Sequence, residues 1–227
     1  MLSMASDPNG SPMTEALASR GGIYIWTALE REARAIGRAL GAGVEVNVIG
    51  IRGGRMPEMS MIKQGGLLVL AGFGGGLDPA LVVGDVVLDP PDGLSAIEGP
   101  WHIGRVVTQG NLMATAAGKA RLHEQTGALA VDMEADIVRR AAMTAGVRLV
   151  VVRAITDAAD QALSATVVGW IGPGGEVRAG ALALGLVRRP WLVLELIRLW
   201  RSSRIAGRRL AAAVRHIVEH AEEFEMK

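Results

Sequence analysis

A chain of 227 residues that is 50% hydrophobic and 21% charged is long enough to bury one sizeable core and too apolar to be disordered throughout. A formal net charge of +1 and an aromatic content of 4% argue against a strongly basic nucleic-acid binder or an aromatic platform for single strands. The absence of cysteine excludes disulfides, thiol catalysis and cysteine-ligated zinc, and fits a cytoplasmic location.

Residues 1–20 are polar, rich in Pro, Gly and Ser, and lack the apolar core of a signal peptide; they are expected to form a disordered leader. "GIYIW" (22–26) reads as a first strand, followed by the helix "ALEREARAIGRALGAG", closed by Gly41 and Gly43. "VEVNVIGI" (44–51) is a second strand, leading into the loop "RGGRMPEM". A third strand is predicted at 67–70, with a glycine-rich loop after it, and further strands at 82–88 and 102–108. "MATAAGKARLHEQTG" predicts a helix ending at Gly127. "ALAVDME" (128–134) is a strand passing into the helix "ADIVRRAAMTAG", and "VRLVVVRAIT" is the last strand. Alternating strands and helices predict a three-layer α/β/α domain with a central mixed sheet over 21–175. Beyond 175 the strands stop, and 176–227 reads as an Arg-rich helical extension. Its apolar run is cut by Arg188, Arg189, Pro190, Glu195 and Arg198, so it does not span a membrane.

Four stretches could carry chemistry. Glu30 and Glu32 fall in a first helical turn, where the helix dipole alone would favour them, but where a carboxylate could also polarise a water. Asp132 and Glu134 alternate with Val131 and Met133, which puts both acids on one strand face; they could cap the next helix, or Glu134 could accept from a diol. "VVVRAITDAAD" runs a β-branched strand into Arg153, Thr156, Asp157 and Asp160, consistent with a capped turn or with an acid presented at the carboxyl edge of a sheet. Gly74, Gly75 and Gly76 could aim amides at an anion or form a bare turn. No metal site is expected.

Taken in order, "ALERE", "GGLDPALVVGDVVL", "DMEA" at 132–135 and "VRAITDAAD" resemble the nucleoside phosphorylases and the related methylthioadenosine/adenosylhomocysteine nucleosidases, over roughly residues 22–162. "GLDPAL", "KARLHEQTGALAVDME" and "LVRRPWLVLELIRLW" are similar to the hopanoid-associated phosphorylases within that family. The resemblance implies cleavage of the N-glycosidic bond of an adenine nucleoside, adenosylhopane in hopanoid biosynthesis being the substrate of that subgroup. Asp157 would be the acid to the base and Glu32 the group that activates the nucleophile. Glu134 would hold the ribose diol and Met133 would pack on the sugar. Arg153 would order Glu134 or Asp157, with Phe73, Gly74 and Gly75 beside the substrate.

The family's phosphate motif, Gly-Asp-Pro-x-Arg, has no counterpart here. Water and inorganic phosphate therefore both stand as nucleophile, phosphate being a co-substrate in the second case with Arg52 and Arg55 to hold it; no other cofactor is expected. Phe73 stands where the nucleosidases carry a small hydroxyl residue. Soluble methylthioadenosine or adenosylhomocysteine is the alternative substrate, and a non-catalytic nucleoside-binding module the second alternative. The resemblance also implies a homodimer. The late helix, with Leu192, Leu196, Leu199 and Trp200 at helical spacing among Arg198, Arg201 and Arg204, predicts either packing on the core or peripheral contact with the inner face of a membrane.

Overall fold

The computed structural model describes residues 22–41, 44–63, 65–91, 98–111, 113–162 and 192–220; the expected leader and the start of the Arg-rich extension lie outside them. Eight strands form one mixed sheet: β1 (Ile23–Thr27), β2 (Val46–Val48), β3 (Leu67–Gly76), β4 (Val86–Asp89), β5 (His102–Ile103), β6 (Val106–Thr108), β7 (Ala130–Asp132) and β8 (Arg148–Asp157). Among the described residues four α-helices accompany them: α1 (Glu30–Leu40), α2 (Ala116–Thr126), α3 (Ala135–Ala145) and α4 (Leu192–Glu219). Along the sheet the order is β2-β1-β3-β8-β4-β5, with β7 antiparallel to the far end of β3 and β6 parallel to β7.

Centrally, β3 and β8 pair in parallel, and over Leu67–Ala71 and Leu149–Val152 both are apolar on their two faces, as strands sandwiched between helical layers must be. On one face Val69, Ala71, Val150 and Val152 meet Ile36 and Leu40 of α1 and Ala206, Leu210, Val214 and Ile217 of α4. On the other, Leu68, Leu70 and Val151 meet Val138 and Ala142 of α3. The architecture is the three-layer α/β/α sandwich expected from the alternation of elements.

Several boundaries differ from expectation. The glycines at 72–76 are not a loop: β3 continues through Gly76, because Gly72 to Gly75 pair with β8 and Gly75 and Gly76 with β7. The strand expected at 82–88 begins only at Val86, since Gly84 turns the chain with φ +98°. The strand expected over 102–108 is broken into β5 and β6 at Gly104, whose open side is filled by Leu129. In α4 the packed stripe is Ala206, Leu210, Ala213, Val214 and Ile217, whereas Leu196 and Leu199 are half-buried and Trp200 is 57% exposed.

Candidate active site

The site is built on the glycine run of β3. A β-carbon at Gly72 would stand 3.0 Å from Arg153 Nη1 and 3.1 Å from Glu32 Oε1, so the missing side chain is the space in which these two meet. At Gly75 it would stand 3.2 Å from Asp157 Oδ2 and 3.7 Å from Lys119 Cε. Gly72 and Gly75 are three residues apart, about 10 Å at the rise of a strand. β3 thus passes two separate pairs, Glu32–Arg153 at Gly72 and Asp157–Lys119 at Gly75.

Glu32, in the first turn of α1, is buried; Oε2 accepts from Leu29 N at 2.8 Å and Oε1 from Phe73 N at 2.8 Å. Its bond to Leu29 is a helix-capping contact, so the capping role is present alongside any chemistry. Burial pushes the Glu32 carboxyl above its ordinary range, against the pull of the Phe73 amide and Arg153.

Arg153 is 1% exposed. It does not reach Asp157. Nε and Nη2 donate to Asp132 Oδ2 at 2.8 and 2.5 Å, Nη1 donates to the Leu70 and Val152 carbonyls, and Nη2 lies 4.0 Å from Glu134 Oε2. Asp132, with Oδ1 bound by Thr108 Oγ1 and both oxygens by Ala135 N, is the anchor that aims the guanidinium. Glu134 follows β7 at the entry to α3. Its Oε1 accepts from Arg52 N at 3.0 Å, and Arg52 takes a left-handed backbone (φ +57°) to deliver that amide. Burial raises Glu134 to about 7, with Arg153 opposing and Asp132 and Glu32 reinforcing.

Asp157 lies past a slip in the β3–β8 register: Gly74 pairs with Ile155 but Gly75 with Asp157, leaving Thr156 as the extra residue. Such a bulge re-aims the side chains that follow it. Asp157 Oδ2 accepts from Lys119 Nζ at 2.5 Å and Oδ1 from Thr156 Oγ1 at 2.9 Å. Burial raises its carboxyl and the Lys119 charge lowers it, burial being the larger effect.

Glu32, Glu134 and Arg153 therefore form one buried cluster, and Asp157, at the end of β8, forms a second buried group with Lys119 opposite Gly75. Met133 is half-buried between Asp132 and Glu134. Phe73 contributes its amide to Glu32, but its ring lies on the α1–α4 side, under the Arg31 guanidinium at 5.2 Å and close to Gly207. Gly74 is packed against Arg153 Cβ and Val131 O, and the glycine amides belong to the strand ladder rather than to an open anion loop. The Arg52 guanidinium donates to Gly110 O and Asn111 Oδ1, and the Arg55 side chain is exposed. Lys119 and the anchoring role of Asp132 were not expected from the sequence. The available signal for Lys119 was its position three residues before Leu122, on the same buried face of α2.

Residues 92–188 match the family model described as the Phosphorylase superfamily. No curated protein sequence matches significantly. Among solved structures, the chain is similar to the 5'-methylthioadenosine/S-adenosylhomocysteine nucleosidase of S. pneumoniae, in complex with the transition-state inhibitor MT-ImmA (TM-score 0.61, 16% identity, 88% of this chain and 99% of that one). It is also similar to the nucleosidase of the same name from Helicobacter pylori, with butyl-thio-DADMe-Immucillin-A (TM-score 0.59, 17% identity, 87% and 97%), and to the futalosine hydrolase of Helicobacter pylori (TM-score 0.58, 16% identity, 87% and 97%). The fold is the nucleoside phosphorylase fold.

Proposed function

We propose that this protein is an enzyme that hydrolyses the N-glycosidic bond of an adenine nucleoside. The observation that supports the reading is the buried Glu32–Arg153–Glu134 cluster, with a further buried acid, Asp157 of β8, opposite Gly75 of the same glycine run. Cleavage passes through a sugar with oxocarbenium character, which buried carboxylates stabilise. Asp157, kept proton-hungry by burial, gives a proton to N7 of the leaving base as the C1′–N9 bond breaks. Glu32, likewise raised by burial, takes a proton from the water whose oxygen bonds to C1′. Glu134 accepts from the two ribose hydroxyls, and Met133 packs on the sugar. The products are adenine and a free sugar.

Water is favoured over phosphate by charge. Around Gly72 three carboxylates, Glu32, Asp132 and Glu134, face one guanidinium already occupied by Asp132. A phosphate dianion would enter a buried space lined by carboxyl groups, with its one guanidinium already taken by Asp132. The retained acids also argue against a purely binding module.

A second reading refines the substrate to a lipid-linked nucleoside such as adenosylhopane, met at the inner face of a membrane. It is favoured by the first half of α4, where Leu194, Ile197 and Trp200 are exposed beside exposed Arg198, Arg201 and Arg204; such a surface suits anionic headgroups. Among the described residues no helix is long and apolar enough to cross a membrane. A homodimer is part of this proposal by resemblance, to be checked by sedimentation.

The test uses 5′-alkylthioadenosines, from methyl to long-chain, with and without inorganic phosphate. Adenine and free ribosyl sugar are expected in both conditions. A ribosyl 1-phosphate formed only with phosphate would overturn hydrolysis, and no adenine from any of the series would overturn the activity. Rates rising with chain length favour the lipid-linked substrate; a maximum at methyl favours the soluble one.

A further inference from the structure

We propose that Lys119 is a positioning residue for the acid of the site: it locks the Asp157 carboxyl in one orientation and, through its charge, sets how readily that carboxyl takes up a proton. The inference rests on the acid role of Asp157 given above.

Lys119 is fully buried in α2, where a lysine would ordinarily reach for solvent. Its Nζ donates to Asp157 Oδ2 at 2.5 Å, Ala158 O at 2.7 Å and Gln161 O at 3.2 Å, with Asp157 O at 3.4 Å. An ammonium has three N–H groups and no acceptor, and the three nearest oxygens use all of them. A neutral amine would turn a lone pair on one of these oxygens, so the acceptor set selects the charged form. The Lys119 stem runs past Gly75, where the absence of a β-carbon leaves room for both Cε and the Asp157 carboxylate.

The charge has a specific consequence for an acid in a dry site. Burial alone would make Asp157 hold its proton tightly and surrender it poorly; a cation at hydrogen-bond distance loosens that hold. No other described residue rivals Lys119 in this. On β3 the carboxylate lies against Gly75, whose open side is also met by the apolar Val131 of β7. Thr156, on its own strand, offers an uncharged hydroxyl. Arg153, also on β8, is turned to Asp132, Glu134 and Glu32. A lysine that merely tied down the turn at 158–161 would use the two carbonyls and have no bearing on proton uptake, so the two roles separate experimentally.

The experiment compares pH profiles of kcat and KM for adenine release by the full chain and its Lys119→Met, Lys119→Arg and Asp157→Asn variants. With Lys119→Met, the alkaline limb of kcat is expected to move up by a pH unit or more while the plateau falls about 10- to 100-fold and KM changes little. Lys119→Arg returns the limb towards the wild-type position. A Lys119→Met enzyme that is slower with its alkaline limb unmoved would overturn the proposal and leave a purely structural anchor. Should Lys119→Met fail to fold, nitrogen NMR of the unmodified protein decides. With lysines only at 63, 119 and 227, the buried Nζ signal is expected to stay protonated and to shift with the midpoint of the alkaline limb, and a signal that is neutral or does not respond there overturns the proposal. Asp157→Asn keeps the two readings apart. Full activity in that variant removes the acid role itself, whereas its loss, together with an unmoved limb in Lys119→Met, removes only the inference about Lys119.

Discussion

Glu134 carries a conflict between stability and chemistry at a single side chain. To accept from two hydroxyls it must be ionised, yet burial holds its carboxyl at about 7. We expect kcat/KM to fall below pH 7 on a limb that belongs to the free enzyme. The same group has an ordinary value of 4.5, so the folded state binds its proton more tightly than the unfolded chain. Its contribution to stability is therefore greatest below pH 4.5 and is lost as the pH rises through 7. That difference corresponds to at most about 3 kcal/mol. Glu134→Gln is expected to abolish most activity while raising the unfolding free energy at pH 8 by about 1–3 kcal/mol, and the gain should vanish below pH 5 in urea titrations. A gain independent of pH would contradict the assignment of the cost to the buried charge.

Among the elements, β3 shows why side chains had to be absent for the acids to meet. Gly72→Ala would put a β-carbon 3.0 Å from Arg153 Nη1 and 3.1 Å from Glu32 Oε1, pushing apart a pair that position and charge hold together. A drop in kcat of roughly tenfold or more is expected, since small misplacements at a reacting centre are costly. Gly37→Ala is the matched control. It lies within α1 with nothing within 4 Å of the added carbon, so it should leave activity unchanged and stabilise by about 0.5–1 kcal/mol. Much at this scale was legible in the sequence. The first-turn Glu32, the "DMEA" stretch and the end of "VRAITDAAD" could be found because each sits where a strand meets a helix or a turn, a local pattern that short motifs preserve. The extent of β3 was not, because five residues from 72 to 76 including four glycines read as a turn, and only pairing with β7 and β8 makes them a strand. Lys119 was missed for a related reason: a lone lysine in a helix reads as a solvated face until the four oxygens at the end of β8 are in view.

Across the whole molecule, α4 closes one face of the sheet. The sequence directed attention to the large residues Leu196, Leu199 and Trp200, whereas the packed contacts use small ones, Ala206 and Ala213, that let the helix approach closely, with Leu210, Val214 and Ile217 filling the gaps. Leu210→Ala should therefore cost about 2–5 kcal/mol in unfolding free energy, while Leu194→Ala, at a position 72% exposed, should stay within about 0.5 kcal/mol. Equal costs at both positions would mean that the two halves of the helix are covered alike.

Among the described residues, six of the seventeen buried in the core beneath α4 come from 206–218, and residues 158–191 separate that helix from β8. During synthesis the valines of β3 and β8 on that side emerge from the ribosome well before their cover does. The nascent sheet thus carries a greasy, half-finished surface for the time needed to translate the intervening stretch, which makes this face the one that a chaperone would have to shield.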